Sequence, residues 1–163
     1  MNAELLKGPL LAKDIMTKKV ITLKLGMDVF DAIEVLLSNQ ISGAPVVDDD
    51  GNLLGMFTEK DCLGILVQAV YDQHPTSKID PFVKRDLTTV DEQTDMLTIA
   101  QLFLQNSFRR VPVVRDGKKL VGLIARRDLL RAAHRVMAVV PKQENPLLYL
   151  SSLMERSESP FDK

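Results

Sequence analysis

The chain is a duplication. Shifted against itself by 67 residues, the sequence aligns without a gap, Val20–Gly64 falling on Leu87–Arg131. Twelve of these 45 pairs are identical, among them Asp28/Asp95, Asn39/Asn106, Pro45/Pro112, Gly55/Gly122 and Asp61/Asp128, where chance gives about two or three. Many of the other pairs exchange one apolar residue for another. The sequence therefore encodes two similar units in tandem. Units of roughly 50 to 60 residues are marginal alone, so each is expected to pack on the other. The boundaries read as an N-terminal segment 1–11, a first unit 12–73, a linker 74–81 containing Pro75 and Pro81, a second unit 82–140 and a tail 141–163.

Each repeat carries the same order of local signals. Val20–Leu23 is a short β-rich run. Asp28 suits the N-cap of a helix with an apolar stripe of Phe30, Ile33, Leu36 and Leu37, and Asn39 suits a left-handed end. Ala44–Val47, the polar turn Asp48–Asn52 and Leu53–Phe57 form a hairpin signal, and a helix from Thr58 to about Tyr71 follows. The second copy repeats this with Asp95, Leu97, Ala100, Phe103, Leu104 and Asn106, then Val111–Val114, Leu120–Ile124 and a helix from Ala125 to about Val140. Strand, helix, strand, strand, helix, twice over, predicts an α+β fold with small sheets covered by helices. After Asn145-Pro146 the run Leu147, Leu148, Leu150, Leu153 and Met154 predicts a short capped amphipathic helix, either packed on its own chain or docked on a partner.

Several function classes recede on composition. The net charge is −1, so no global basic field attracts nucleic acid. Cys62 is the only cysteine, which removes an internal disulfide or cysteine-rich zinc site and fits a reducing compartment. The N-terminus is a poor secretory signal, and the longest uncharged apolar run, Cys62–Tyr71, is about half a membrane span. A cytoplasmic protein without membrane association is expected. No nucleophile–base pair, metal cluster or phosphate-binding glycine loop is visible, so an enzyme is not expected. His74 and His134 read as surface residues. Cys62 reads as a small packing residue, and Asp48–Asn52 as a turn rather than a calcium loop.

Three pieces of sequence carry a family resemblance: Asp14-Ile15-Met16-Thr17 before the first strand, Ile41-Ser42-Gly43-Ala44-Pro45-Val46-Val47, and Gly55-Met56-Phe57-Thr58-Glu59-Lys60-Asp61. The second copy offers Phe108-Arg109-Arg110-Val111-Pro112-Val113-Val114 and Gly122-Leu123-Ile124-Ala125-Arg126-Arg127-Asp128. In order, spacing and duplication these resemble the cystathionine β-synthase (CBS) domain over residues 12 to 138, as a stand-alone pair of the bacterial type. The resemblance implies two β-α-β-β-α units packed as a pseudo-two-fold pair with two clefts. It further implies an adenine nucleotide or related adenosyl ligand as a regulatory ligand, no required cofactor, a homodimer and an unidentified effector protein. The rival reading is a ligand-free interaction and dimerisation module.

Thr58-x-x-Asp61 has the chemistry for such a ligand. A carboxylate accepts from both ribose hydroxyls, and a hydroxyl with free amides at a helix start favours anions. The same tetrapeptide is also a capping box, and the two readings are compatible. Carried over from the family, Thr58 and Asp61 share a site with Leu87, Thr88, Arg109 and Arg110, the arginines reaching phosphate with their planar forks. A second, weaker cleft combines Val20, Ile21, Ile41, Ser42 and Gly43 with Arg127 and Asp128. Ala125 stands there in place of the hydroxyl. An Arg-Arg pair near a helix end is also explained by solvation and the helix dipole.

Charge is unevenly spread. Residues 1–106 carry nine Lys/Arg against sixteen Asp/Glu, and residues 107–142 carry ten against two. The basic block, with Arg126, Arg127, Arg131 and Arg135, lacks the aromatic residues and motifs of a nucleic-acid binder. Opposite charge on the two halves predicts a head-to-tail homodimer.

Overall fold

The structure, a computed structural model, describes residues 8–72, 77–139 and 145–155 of the 163-residue chain. In chain order the elements are α1 (Ala12–Ile15), α2 (Val29–Ser38), β1 (Gly43–Val47), β2 (Leu53–Thr58), α3 (Glu59–Tyr71), a 3-10 turn (Asp80–Phe82), β3 (Val90–Asp91), α4 (Met96–Gln105), β4 (Arg110–Arg115), β5 (Lys119–Ala125), α5 (Arg126–Met137) and α6 (Pro146–Glu155). The fold is α+β, as the order of signals predicts. His74 and Val140 lie outside the described residues.

Two compact units emerge. The first-repeat unit holds residues 19–88 with 116–120, and the second-repeat unit holds the described parts of 1–18, 89–115 and 121–163. In the first, β1 and β2 form an antiparallel pair, Gly43 opposite Thr58 and Val46 opposite Gly55. The turn closes because Asp48 Oδ1 accepts from the Asp50 and Asn52 backbone N–H groups, Oδ2 accepts from the Asn52 amide, and Gly51 takes φ +80°. Hydrogen bonds from the Asn52 side chain and backbone hold the Asp48 carboxyl below its usual range. Leu23, Ala32, Leu36, Val46, Phe57, Ile65 and Ile79 form this unit's core. In the second, the sheet order is β3-β4-β5, and Ile99, Phe103, Val111, Val113, Ile124, Leu129 and Val136 are buried with Leu153 of α6.

Each repeat begins with an arm that crosses to the sheet of the other repeat. Thr17 exchanges backbone hydrogen bonds with Leu123 of β5, at 2.9 and 3.0 Å. Lys84, 67 positions later, does the same with Met56 of β2, at 2.9 and 2.8 Å. The repeated glycines make room for these arms. A Cβ on Gly55 would collide with Val83 and the Lys84 carbonyl, and one on Gly122 with the Met16 side chain. Ala12 and Ile79, also 67 apart, are fully buried at the base of each arm.

Three local expectations are corrected. Val20–Leu23 is not a strand: only Leu23 bridges to Val46, its N–H donating to the Pro45 carbonyl and its carbonyl accepting from the Val47 N–H. Pro45 has no N–H for the next rung, so the parallel ladder stops there. Pro112 stands at the matching place, and β3 begins only at Val90. The helix stripes are rotated. Asp28 and Asp95 do cap α2 and α4 by accepting from the Phe30 and Thr98 N–H groups, but Ala32 and Leu36 face the core while Phe30 and Leu37 are 73% and 68% exposed. In α4, Met96, Ile99 and Phe103 are buried and Leu104 is exposed. Asn39 is not left-handed; Gln40 takes that role at φ 53°, and Asn106 is extended. These Asn amides serve the helix ends by donating to the carbonyls of Val35 and Leu102, four residues back.

The tail helix forms as its capping signal predicts, with Asn145 Oδ1 accepting from the Leu147 N–H at 3.0 Å. It packs on its own chain. Leu153 is buried, and Tyr149, Leu150 and Met154 lie against the second-repeat core.

Candidate functional site

Thr58 ends β2 and caps α3. Its extended backbone (φ −129°, ψ 166°) turns the chain from sheet to helix, and Asp61 lies one turn on. Asp61 Oδ2 accepts from the Thr58 N–H at 2.7 Å and from Thr58 Oγ1 at 2.8 Å, while the Asp61 N–H reaches Thr58 Oγ1 at 3.4 Å. The capping reading is therefore realised. It does not use up the carboxylate: among the described residues Oδ1 of Asp61 takes no hydrogen bond, and the side chain is half-buried. A fixed carboxylate with one oxygen open, at a helix start of positive potential, can accept from a diol and tolerate a neighbouring anion.

Ile41, Ser42 and Gly43 lie in the same unit as this box. The Ser42 carbonyl accepts from the Glu59 N–H at 2.9 Å, and Gly43 pairs with Thr58 across the ladder. A Cβ on Gly43 would press on Thr58 Cγ2 and the Phe57 carbonyl, so this approach needs a glycine or a small shift. Val20, Ile21, Leu87 and Thr88 belong to the same unit and lie outside regular strands. Val20 and Leu87 are half-buried; Ile21 and Thr88 are exposed.

Arg109, Arg110, Arg127 and Asp128 lie in the second-repeat unit. Arg109 is exposed before β4, Arg110 opens β4, and Arg127 is exposed in the first turn of α5. The second copy of the box is only half built. Asp128 Oδ2 accepts from the Ala125 N–H at 2.7 Å, but Ala125 offers no hydroxyl. Asp128 Oδ1 faces Arg131 Nη1 at 3.6 Å, and the carboxylate side chain is only 15% exposed. This ion pair escaped the reading of the sequence, although the signal was present: Arg131 aligns with Gly64. Arg126 is also engaged, Nη2 donating to the Phe108 carbonyl at 3.4 Å and the guanidinium lying 5.9 Å from the Phe103 ring centroid.

Cys62 is half-buried against the first-repeat core. Burial and then the Asp61 charge push its thiol up, the opposite of a reactive thiolate. Among the described residues no group of three or more His, Cys, Asp or Glu side chains is placed to hold a metal ion, and no helix is long and apolar enough to cross a membrane.

The sequence profile of the CBS domain matches twice, at residues 12–68 and 79–135. The uncharacterized protein MJ1225 of Methanocaldococcus jannaschii is 34% identical over 119 residues, 73% of this chain and 41% of that protein. The inosine-5'-monophosphate dehydrogenase of the same organism is 32% identical over 120 residues, 74% of this chain but 23% of the enzyme. The chain thus spans less than half the length of these two relatives. Among solved structures, CBSX2 of Arabidopsis thaliana in complex with AMP superposes with a TM-score of 0.69 at 29% identity, covering 77% of this chain and 97% of that one. The CBS domain pair of protein MJ0100, in complex with 5'-methylthioadenosine and S-adenosyl-L-methionine, gives 0.66 at 28% identity, covering 76% and 94%. With the profile matched in both repeats and the fold shared with solved pairs, the chain belongs to the CBS domain family.

Proposed function

We propose that the chain is a regulatory module that senses an adenine nucleotide or adenosyl ligand and passes the signal to a partner protein through the geometry of a homodimer. The open Oδ1 of Asp61, beside the Thr58 hydroxyl at the start of α3, carries this reading. In the proposal Asp61 accepts from the ribose hydroxyls, and Thr58 and the first amides of α3 attract phosphate. Arg109 and Arg110 supply the phosphate forks, and Leu87 and Thr88 flank the base. A second, weaker site uses Val20, Ile21, Ile41, Ser42, Gly43, Arg127 and Asp128. That two solved relatives at 28–29% identity carry AMP or adenosyl compounds supports the ligand class. The module is read as cytoplasmic and without catalysis of its own.

The test is a thermal-shift panel of adenine and guanine nucleotides, followed by calorimetry on the hits. At free ligand about 100 times Kd, binding stabilises by about 2.7 kcal/mol. Asp61→Ala is expected to abolish the adenine-nucleotide shift in a folded protein; parent-like affinity in that variant overturns the assignment. The ligand-free interaction module is favoured by one observation, the exposed apolar face of α3, and is the conclusion if no nucleotide shifts the parent.

A further inference from the structure

The tail helix α6 lies outside the repeat, beyond both profile matches, which end at residues 68 and 135. Its 10 residues are too few to hold a helix in water unaided. Its order therefore depends on its seat. Leu150, Leu153 and Met154, at i, i+3 and i+4, share one face. Leu153 is 5% exposed, whereas Leu147 and Leu148 in the first turn are 64% and 69% exposed. The helix packs along α5 and meets the N-terminal segment where that segment is tied to the start of α4. There the Met96 N–H donates to the Leu10 carbonyl at 2.9 Å and the Ala12 N–H to the Thr94 carbonyl at 2.7 Å.

A narrow hollow, with room for about one water molecule, runs along this contact. Its walls include Leu150, Leu153 and Met154 of α6, with Leu10, Asp95 and Met96 opposite. None of the lining side chains is a hydrogen-bond donor. All but one are apolar, and Asp95 is an acceptor already held by Thr98. Met154 is half-buried, so its sulfur is within reach of solvent, while Met96 is 6% exposed. Met16 and Met137 lie against the same core but do not line the hollow. Cys62, the only thiol, belongs to the other unit, and burial keeps it protonated and slow toward oxidants.

We propose that Met154 is an oxidation site and that its sulfoxide unlatches α6 from the second-repeat unit. A peroxide transfers one oxygen atom to the thioether sulfur. The sulfur loses two electrons in forming the S–O bond, the O–O bond of the peroxide breaks, and water leaves. The new oxygen only accepts hydrogen bonds. Set among leucines, a second thioether and the Asp95 carboxylate, it meets no donor side chain and faces another acceptor. The released helix pays no such penalty, because water solvates the sulfoxide. The balance between seated and released α6 therefore shifts toward release, and the short helix melts once it leaves. Release uncovers Leu10 and Leu153, both buried in the reduced chain, as a new apolar surface. Reduction of the sulfoxide closes the latch again. This inference goes beyond the nucleotide reading and does not depend on it.

The experiment treats the full chain, without nucleotide, with hydrogen peroxide, and maps oxygen uptake by peptide mass spectrometry. Met154 is expected to gain one oxygen atom before Met96 does. Amide hydrogen exchange in α6 is expected to become at least about tenfold faster, while Ile99 and Val113 in the core keep their protection. Met154→Leu keeps the seat apolar and cannot be oxidised, so its α6 is expected to exchange at the parental rate before and after peroxide. Met154→Gln carries a polar group without any oxidant and is expected to reproduce the fast exchange. Methionine sulfoxide reductase is expected to restore slow exchange in the oxidised parent and to leave Met154→Gln unchanged. Oxygen uptake that spares Met154, oxidised Met154 with α6 still exchanging at the reduced rate, or equal acceleration by peroxide in Met154→Leu overturns the proposal.

Discussion

Asp128 and Arg131 form an ion pair, Oδ1 to Nη1 at 3.6 Å, that the first repeat cannot form because Gly64 occupies the position of Arg131. The two boxes therefore differ twice: one lacks a hydroxyl, and one has its second carboxylate oxygen engaged. Unequal nucleotide sites are expected, one tight and any second at least about tenfold weaker. Arg131→Gly should strengthen the weak site about two- to fivefold, the equivalent of an ion pair whose arginine is exposed to solvent. Calorimetry on parent and variant reads both numbers, and two equal sites in the parent would contradict the expectation.

Ala125 leaves the N-terminus of α5 with no side-chain acceptor of its own. Ala125→Thr should complete the box that Thr58 and Asp61 already show. A gain of about 1 kcal/mol is expected, seen as a rise of about 2–4 °C in the unfolding midpoint. The reverse change, Thr58→Ala, should cost a similar amount, because Asp61 Oδ2 then loses its partner hydroxyl.

The paired glycines should respond differently to the same substitution. Gly55→Ala drives a methyl into the Lys84 backbone carbonyl as well as Val83. Backbone cannot swing away, so a loss of about 3 kcal/mol, the upper end of overpacking, is expected. Gly122→Ala meets only the Met16 side chain. A thioether with three rotatable bonds can move, and a loss nearer about 1 kcal/mol is expected. Denaturant midpoints of the two variants compare them directly.

Asp95 couples stability to acid. Burial raises its carboxyl, but hydrogen bonds from the Thr98 N–H and hydroxyl outweigh that, and its pKa lies below the ordinary 3.8. A depressed carboxyl stabilises the fold fully above its unfolded value, and that contribution is lost as pH falls below 3.8 through the folded value. Asp95→Asn keeps an acceptor for the cap but not the charge. Its stability should fall less steeply than the parent's below pH 3.8, which thermal melts across that range would show.

The elements best read from sequence are those fixed by a residue with one physical use. Asp28 and Asp95 mark helix starts, Asp48–Asn52 marks a tight turn, and Asn145-Pro146 opens the last helix. Legibility failed where several solutions fit one pattern. Phe30, Ile33, Leu36 and Leu37 are all apolar, and so are Ala32 and Val35, so the alternation alone did not say which side of α2 faces the core. The strand expected at Val20–Leu23 was stopped by Pro45, a residue on its neighbour. At the site, the Thr58–Asp61 contact was legible as a tetrapeptide. The fate of Asp128 depended on Arg131, one turn further along.

The crossed arms bear on the order in which the chain becomes structured. Thr17 finds its partner at Leu123, about a hundred residues downstream, whereas Lys84 returns to Met56 over a short span. Closing the longer loop costs more chain entropy. During synthesis the hairpin of the first repeat can take up its bridge to Lys84 as soon as residue 84 emerges. The segment around Met16, made before either hairpin, waits until β5 is complete. A fragment ending after the first repeat would expose that unclaimed segment, and one beginning at the second would leave the β5 edge bare and ready to pair with other chains. Duplication in sequence has thus not produced two separable pieces: the segment around Thr17 belongs with a sheet made about a hundred residues later.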